Sequence, residues 1–222
     1  DVPAKICGRN VGKIKNIFNG NSKIVTVTIA DGITEMGDYV FSTCDNLTSV
    51  KLPSTITTIP KSAFAYCPKL TNVTVPDSVT RIEEKAFYCC DALSTASLPK
   101  KLDYLGKQAF YACKSLKSVT VPDGVKTIED QTFANSMYLQ KVTLPATVTS
   151  IGSGAFLQCL SLSSVNLPAN LTKILDNAFY YCDLLDNITI PSKVVSIGDS
   201  AFANCASLSR INIPASLTLL YE

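Results

Sequence analysis

The chain has 222 residues, of which 46% are hydrophobic and 17% charged, with 20 basic and 18 acidic side chains and a formal net charge of +2. No basic run exceeds the pair Lys100 and Lys101, which argues against nucleic acid as the main partner, because counterion release needs Lys and Arg clustered along one face. Histidine is absent, which excludes the Ser-His-Asp and Cys-His machineries, and no apolar stretch approaches the roughly 18 residues needed to insert across a bilayer as a helix.

A 23-residue period runs through the chain. Every phenylalanine falls on it: Phe18, Phe41, Phe64, Phe87, Phe110, Phe133, Phe156, Phe179 and Phe202. A proline keeps the same interval from Pro53 to Pro214. Such regularity predicts a solenoid whose coils stack into one continuous core, so residues 1–222 are read as a single domain.

In chain order, residues 1–20 form a degenerate first unit. Ile6 lies one period before Ile29, while Asn10 and Lys13 are polar where later units are apolar. A terminal unit with polar substitutions is expected to act as an N-terminal cap, since its outer side meets water. From Ile24 onward, apolar residues alternate in pairs such as Val27 and Ile29, Val50 and Leu52, Val73 and Val75, and Ala96 and Leu98. They predict nine short parallel strands, and the proline that follows eight of them lacks an N–H and ends the ladder. After the proline, Val79, Ile82, Ala86, Phe87 and Cys90 are spaced by three, four, one and three, which predicts a short helical or irregular return. Gly37, Gly106, Gly152 and Gly198 are expected to mark a turn within it. The final SLTLLYE opens a further unit, so the segment is expected to end in mid-repeat, with Leu217, Leu219 and Leu220 at that end.

The unit LxxVxLPxxVxxIxxxAFxxCxxL, as in LTSVKLPSTITTIPKSAFAYCPKL and LSSVNLPANLTKILDNAFYYCDLL, resembles the BspA-like class of leucine-rich repeats. The resemblance extends from about Ile24 to the end. It implies an α/β right-handed leucine-rich-repeat solenoid of about nine to ten coils, curved into a horseshoe or arc, with a concave parallel β-sheet and short helical or irregular returns. It further implies a cell-surface or secreted protein that binds host extracellular or surface proteins. Local departures are Asn21 for Cys, Ala30 for Pro, Thr132 for Ala and Ser136 for Cys.

Seven of the nine cysteines stand three residues after a Phe: Cys44, Cys67, Cys90, Cys113, Cys159, Cys182 and Cys205. Stacking turns them into a buried column, and the substitution by Ser136 points to space filling or weak hydrogen bonding. With no CxxC and no His, zinc is disfavoured, and an odd, uniformly spaced set does not describe a disulfide framework. Cys7 and Cys89 lie off the column and are the candidate free thiols. The carboxylate neighbours Glu83 with Glu84 and Glu129 with Asp130 read as solvated charges. No phosphate-cradling glycine loop appears. The chain is therefore read as a non-enzyme without metal or cofactor.

The candidate site is the outward face of the strands. Its residues include Lys51, Asn72, Thr74, Thr120, Lys141, Thr143, Asn166, Asn187, Thr189, Arg210 and Asn212. With strands about 4.8 Å apart, the face makes a track roughly 40 Å long. Lys51, Lys141 and Arg210 break its Ser, Thr and Asn background, and specificity is expected there. Tyr66, Tyr88, Tyr111, Tyr138, Tyr180 and Tyr181 form a second, aromatic candidate. The leading reading is an adhesion or ligand-binding module with a protein partner. The alternative is an assembly module that forms homo-oligomers through its uncapped C-terminal end.

Overall fold

The computed structural model describes residues 1–3, 5–6 and 9–220, the side chains at 5, 6, 9, 10, 219 and 220 excepted. Each coil lays down three segments, most of them hydrogen-bonded to their counterparts in the next coil. The first follows from alternation. In the strands Thr26–Thr28, Ser49–Lys51, Asn72–Thr74, Ser118–Thr120 and Lys141–Thr143 the central valine is buried and its neighbours face outward, as a half-buried strand dictates. Ser164–Val165, Asn187–Ile188 and Arg210–Ile211 continue the series. Pairing is parallel, Val27 against Val50 and Val50 against Val73.

Alternation predicts nine such strands, and eight form among the described residues. Thr95 to Ser97 retains a single bridge, from Ser97 to Thr74. Its inward residue is Ala96, where the adjoining coils carry Val73 and Val119. The missing methyl groups leave a cavity of about 10 Å³ lined by Val73, Val75, Phe87, Leu93 and Phe110. With fewer contacts holding it down, this stretch does not settle into the ladder.

The second segment is another parallel sheet built of two-residue strands. Thr127–Ile128, Ser150–Ile151, Lys173–Ile174, Ser196–Ile197 and Leu219–Leu220 form its longest run, and Thr58–Ile59, Arg81–Ile82 and Tyr104–Leu105 another. The glycines that follow these strands answer to close approach. A Cβ on Gly106 would sit 2.7 Å from the backbone of Glu83 and Glu84, and one on Gly152 2.7 Å from the Asp130 nitrogen, so only hydrogen fits.

The third segment corrects the sequence-based expectation. Among the described residues there is no helix, so the short helical returns and the α/β class give way to an all-β, parallel-strand solenoid of about nine turns. The reason lies in the backbone on either side of each Phe. Tyr39 and Thr43, Ser62 and Tyr66, and Gln108 and Ala112 bracket their phenylalanines with positive φ between 52 and 59°. Two left-handed residues four positions apart in each of these returns cannot be part of an α-helix. The N–H groups of Ser62, Phe64 and Tyr66 instead donate to the carbonyls of Glu84, Ala86 and Tyr88 in the next coil. Those of Ala63 and Ala65 close tight turns onto Pro60 and Ser62. Each left-handed residue costs roughly 1–2 kcal/mol. An inter-coil hydrogen bond of about 1 kcal/mol and burial of the Phe ring, about 1.5–3 kcal/mol, offset it.

The nine Phe rings form one stack, with successive centroids 5.1 to 5.8 Å apart and planes within 12° of parallel, an offset arrangement that aromatic quadrupoles favour. Beside it runs the sulfur column. Cys67 Sγ donates to the Phe41 carbonyl at 3.0 Å, Cys113 to Phe87 at 3.2 Å, and Ser136 Oγ to Phe110 at 3.0 Å. Serine can stand in because the position needs a small donor for the preceding coil's Phe carbonyl.

The first coil is out of register with the simple period. Lys13–Ile14 pairs with Glu35–Met36, 22 residues on, so Ile14 rather than Lys13 fills the apolar column and is buried. Val2, not Ile6, pairs with Ile29; Lys5–Ile6 pairs antiparallel with Arg9–Asn10.

Candidate functional site

Lys51, Asn72, Thr74, Thr120, Lys141, Thr143, Asn166, Asn187, Thr189, Arg210 and Asn212 are all exposed. A buried residue alternating with each fixes the backbone of all but Arg210 and Asn212, whose shared neighbour Ile211 is itself exposed in the last coil. The register sets Lys51 beside Thr74, Thr120 beside Thr143, and Asn187 beside Arg210. Lys51 and Lys141 are four coils apart and Lys141 and Arg210 three, about 19 and 14 Å at normal strand spacing. These cations cannot converge on one small anion. None of the three makes an ion pair among the described residues, whereas Lys61, Arg81, Lys107 and Lys114, on the other faces, are paired with Glu84, Glu83, Asp130 and Asp91.

Asn212 stands apart from the other ten. Its amide accepts from the Ile190 N–H at 2.8 Å and donates to the Ile190 carbonyl at 3.0 Å, so it completes the backbone pairing of the preceding coil.

The ladder beneath this face is interrupted twice. It falls into sheets of three, three and two strands, with breaks at the Ala96 coil and between Ser164–Val165 and Asn187–Ile188. An open cleft lies at each break. One of about 460 Å³ is lined by Thr95, Ser97, Lys100, Ser118 and Thr120, and one of about 530 Å³ by Ser164, Asn166, Asp186, Asn187 and Thr189. Sequence reasoning missed both. Ala96 was the available signal for the first, and nothing in the local sequence explains the second.

The tyrosines lie on the return face, away from the strand face. Tyr66, Tyr88 and Tyr111 cluster, with centroids 5.2 and 4.7 Å apart, and burial pushes the Tyr88 hydroxyl up to about 12. Tyr180 packs edge-on to Tyr181 at 4.7 Å. Tyr66 and Tyr138 remain more than half exposed.

The column thiols are chemically quiet. Burial pushes Cys67 up to about 12 and Cys90, Cys113, Cys159 and Cys182 well above the ordinary thiol range, which suppresses the nucleophilic thiolate. All eight described cysteines are free. Cys89 is also raised, by burial and then by the charge of Asp91, while Cys7 lies outside the described residues. The carboxylate neighbours are tied up in the fold: Glu83 bonds Arg81, Glu84 bonds Lys61, and Asp130 bonds Lys107 and the Ser153 N–H. Glu129 is raised, first by burial and then by Asp130 beside it. Among the described residues no three His, Cys, Asp or Glu side chains are grouped to hold a metal ion.

Comparison with known proteins places this geometry. The BspA type leucine rich repeat region matches in six copies over residues 12–139 and 104–222. The chain belongs to this family. Among solved structures, a leucine-rich repeat protein from Bacteroides ovatus superposes with a TM-score of 0.89 at 27% identity, over 95% of this chain and 55% of its own. The chain thus spans about half the length of that relative. A T. pallidum leucine-rich repeat protein follows at 0.67 and 28% identity, covering 72% of this chain and 75% of its own. A leucine-rich cell surface protein from Faecalibacterium prausnitzii gives 0.51 at 27%, covering 98% and 82%. No curated protein matches. In this chain the Phe and Cys columns identified above belong to the core, whereas the outward strand residues are exposed.

Proposed function

We propose that the chain is a non-enzymatic binding module whose strand face engages a protein partner outside the cell. The observation that carries this reading is the set of exposed cations, Lys51, Lys141 and Arg210, which make no ion pair among the described residues and lie along a face otherwise made of hydroxyl and amide groups. Exposed charges of this kind gain most when a partner supplies the counter-charge and excludes water, and their spacing suits an extended acidic surface rather than a small ligand. Similarity to a leucine-rich cell surface protein across nearly the whole chain supports an extracellular setting, with adhesion as the role.

The test is a pull-down of host extracellular and surface proteins by the purified chain, repeated with Lys51→Ala, Lys141→Ala and Arg210→Ala combined. A partner retained by the wild type and lost by the triple variant supports the assignment. A partner held equally by both moves the site off the strand face.

A further inference from the structure

The position three residues before each Phe forms its own column, and its charges alternate. From Asp38 it reads Lys61, Glu84, Lys107, Asp130, then Ser153, Asp176 and Asp199. Each lysine reaches forward one coil to the acid that follows. Lys61 Nζ lies 2.7 Å from Glu84 Oε2, and Lys107 Nζ 2.7 Å from Asp130 Oδ2. Asp130 uses its other oxygen, Oδ1, to accept the Ser153 N–H at 3.0 Å.

Two coils later the arrangement recurs with one part missing. Asp176 Oδ1 accepts the Asp199 N–H at 3.0 Å, as Asp130 accepts from Ser153. In the preceding coil, however, Ser153 stands where alternation calls for lysine, and Asp176 makes no ion pair among the described residues. The space beside Ser153 opens into a groove of about 670 Å³ bordered by Lys107, Asp130, Gly154, Leu157, Asp176 and Tyr180. Gly154 deepens it, for its φ of +58° holds the left-handed site that Gln131 and Asn177 occupy with full side chains in the adjoining coils.

We propose that this groove receives a lysine side chain from a partner protein, with its ammonium on Asp176 Oδ2. The protein supplies the template, since Lys107 on Asp130 shows the geometry from within the chain. Leu157 and the ring of Tyr180 flank the path of the incoming side chain and can cover its four methylenes while the charged head meets the carboxylate. The site lies on the return face and is independent of the strand-face reading.

The experiment titrates a capped hexalysine peptide into the isotope-labelled chain at low ionic strength, where charge pairing is least screened, and follows backbone amides by NMR. Saturable shifts centred on Ser153, Gly154, Asp176 and Asn177 are expected. Ser153→Lys should fill the groove from within and weaken binding at least tenfold, and Asp176→Asn should do the same without adding bulk. Ser192→Lys, which adds an equal charge at an exposed position elsewhere, should stay within twofold of wild type. Binding by Ser153→Lys as tight as that of Ser192→Lys, or shifts spread over other surface carboxylates, would overturn the proposal.

Discussion

Replacing Phe110 with alanine tests the packing scheme at its centre. The ring is 1% exposed and lies between Phe87 at 5.1 Å and Phe133 at 5.8 Å. Truncating a buried Phe costs about 3–5 kcal/mol through lost transfer free energy and the cavity left behind. The upper half of that range applies here, because two stacking contacts of about 0.5–1.5 kcal/mol each go with it, and neighbours pinned by inter-coil hydrogen bonds cannot collapse into the space. Phe110→Leu refills much of the volume and loses the stack, so about 1–2 kcal/mol is expected. Thr120→Ala, on the strand face, should cost less than about 1 kcal/mol. Equilibrium urea unfolding followed by circular dichroism reads all three. For a cost of about 4 kcal/mol and a slope near 2 kcal/mol/M, the Phe110→Ala midpoint moves down by roughly 2 M. Equal costs for Phe110→Ala and Thr120→Ala would mean that the inward and outward faces have been misassigned.

Ala96→Val should fill the cavity in its coil and stabilise the chain by about 1 kcal/mol, from two added methyl groups at roughly 0.8 kcal/mol each less some strain; a lower urea midpoint would refute that account of the missing strand. Gly106→Ala places a methyl group against the backbone of Glu83 and Glu84 and should destabilise by about 1–3 kcal/mol, so unchanged stability would show that the coils can separate freely. The thiol column predicts alkaline sensitivity. A thiol raised in the folded state keeps its proton after the unfolded chain has lost it, so stability is intact below pH 9.0 and falls as pH rises towards about 12, the span between the ordinary value and that of Cys67. Cys67→Ser, which repeats the natural Ser136 substitution one column position at a time, should make the loss of melting temperature shallower over that window, and an identical slope would show that the buried thiols do not contribute.

Spacing alone revealed the interval of the coils, the inward Phe, Val and Cys columns and the outward polar ladder, because each depends on residue type at a fixed position and stacking copies that position from coil to coil. The column of alternating charges before each Phe was equally legible and was overlooked, since a single charged residue reads as solvent-facing until its neighbour 23 residues away is set beside it. The return is different in kind. Val79, Ile82, Ala86, Phe87 and Cys90 satisfy a helical spacing, yet the tertiary structure sends alternate N–H groups to the next coil and turns residues such as Ser62 and Tyr66 left-handed to do so. Only pairing between coils could show that Ile14 takes the place expected of Lys13, that the strand ladder opens at two points, and that Asn212 spends its amide on Ile190. The periodic sequence determines which side chains are buried, through the hydrophobic effect acting at each position. The destination of each backbone hydrogen bond belongs to the stacked structure, because donor and acceptor lie a full coil apart.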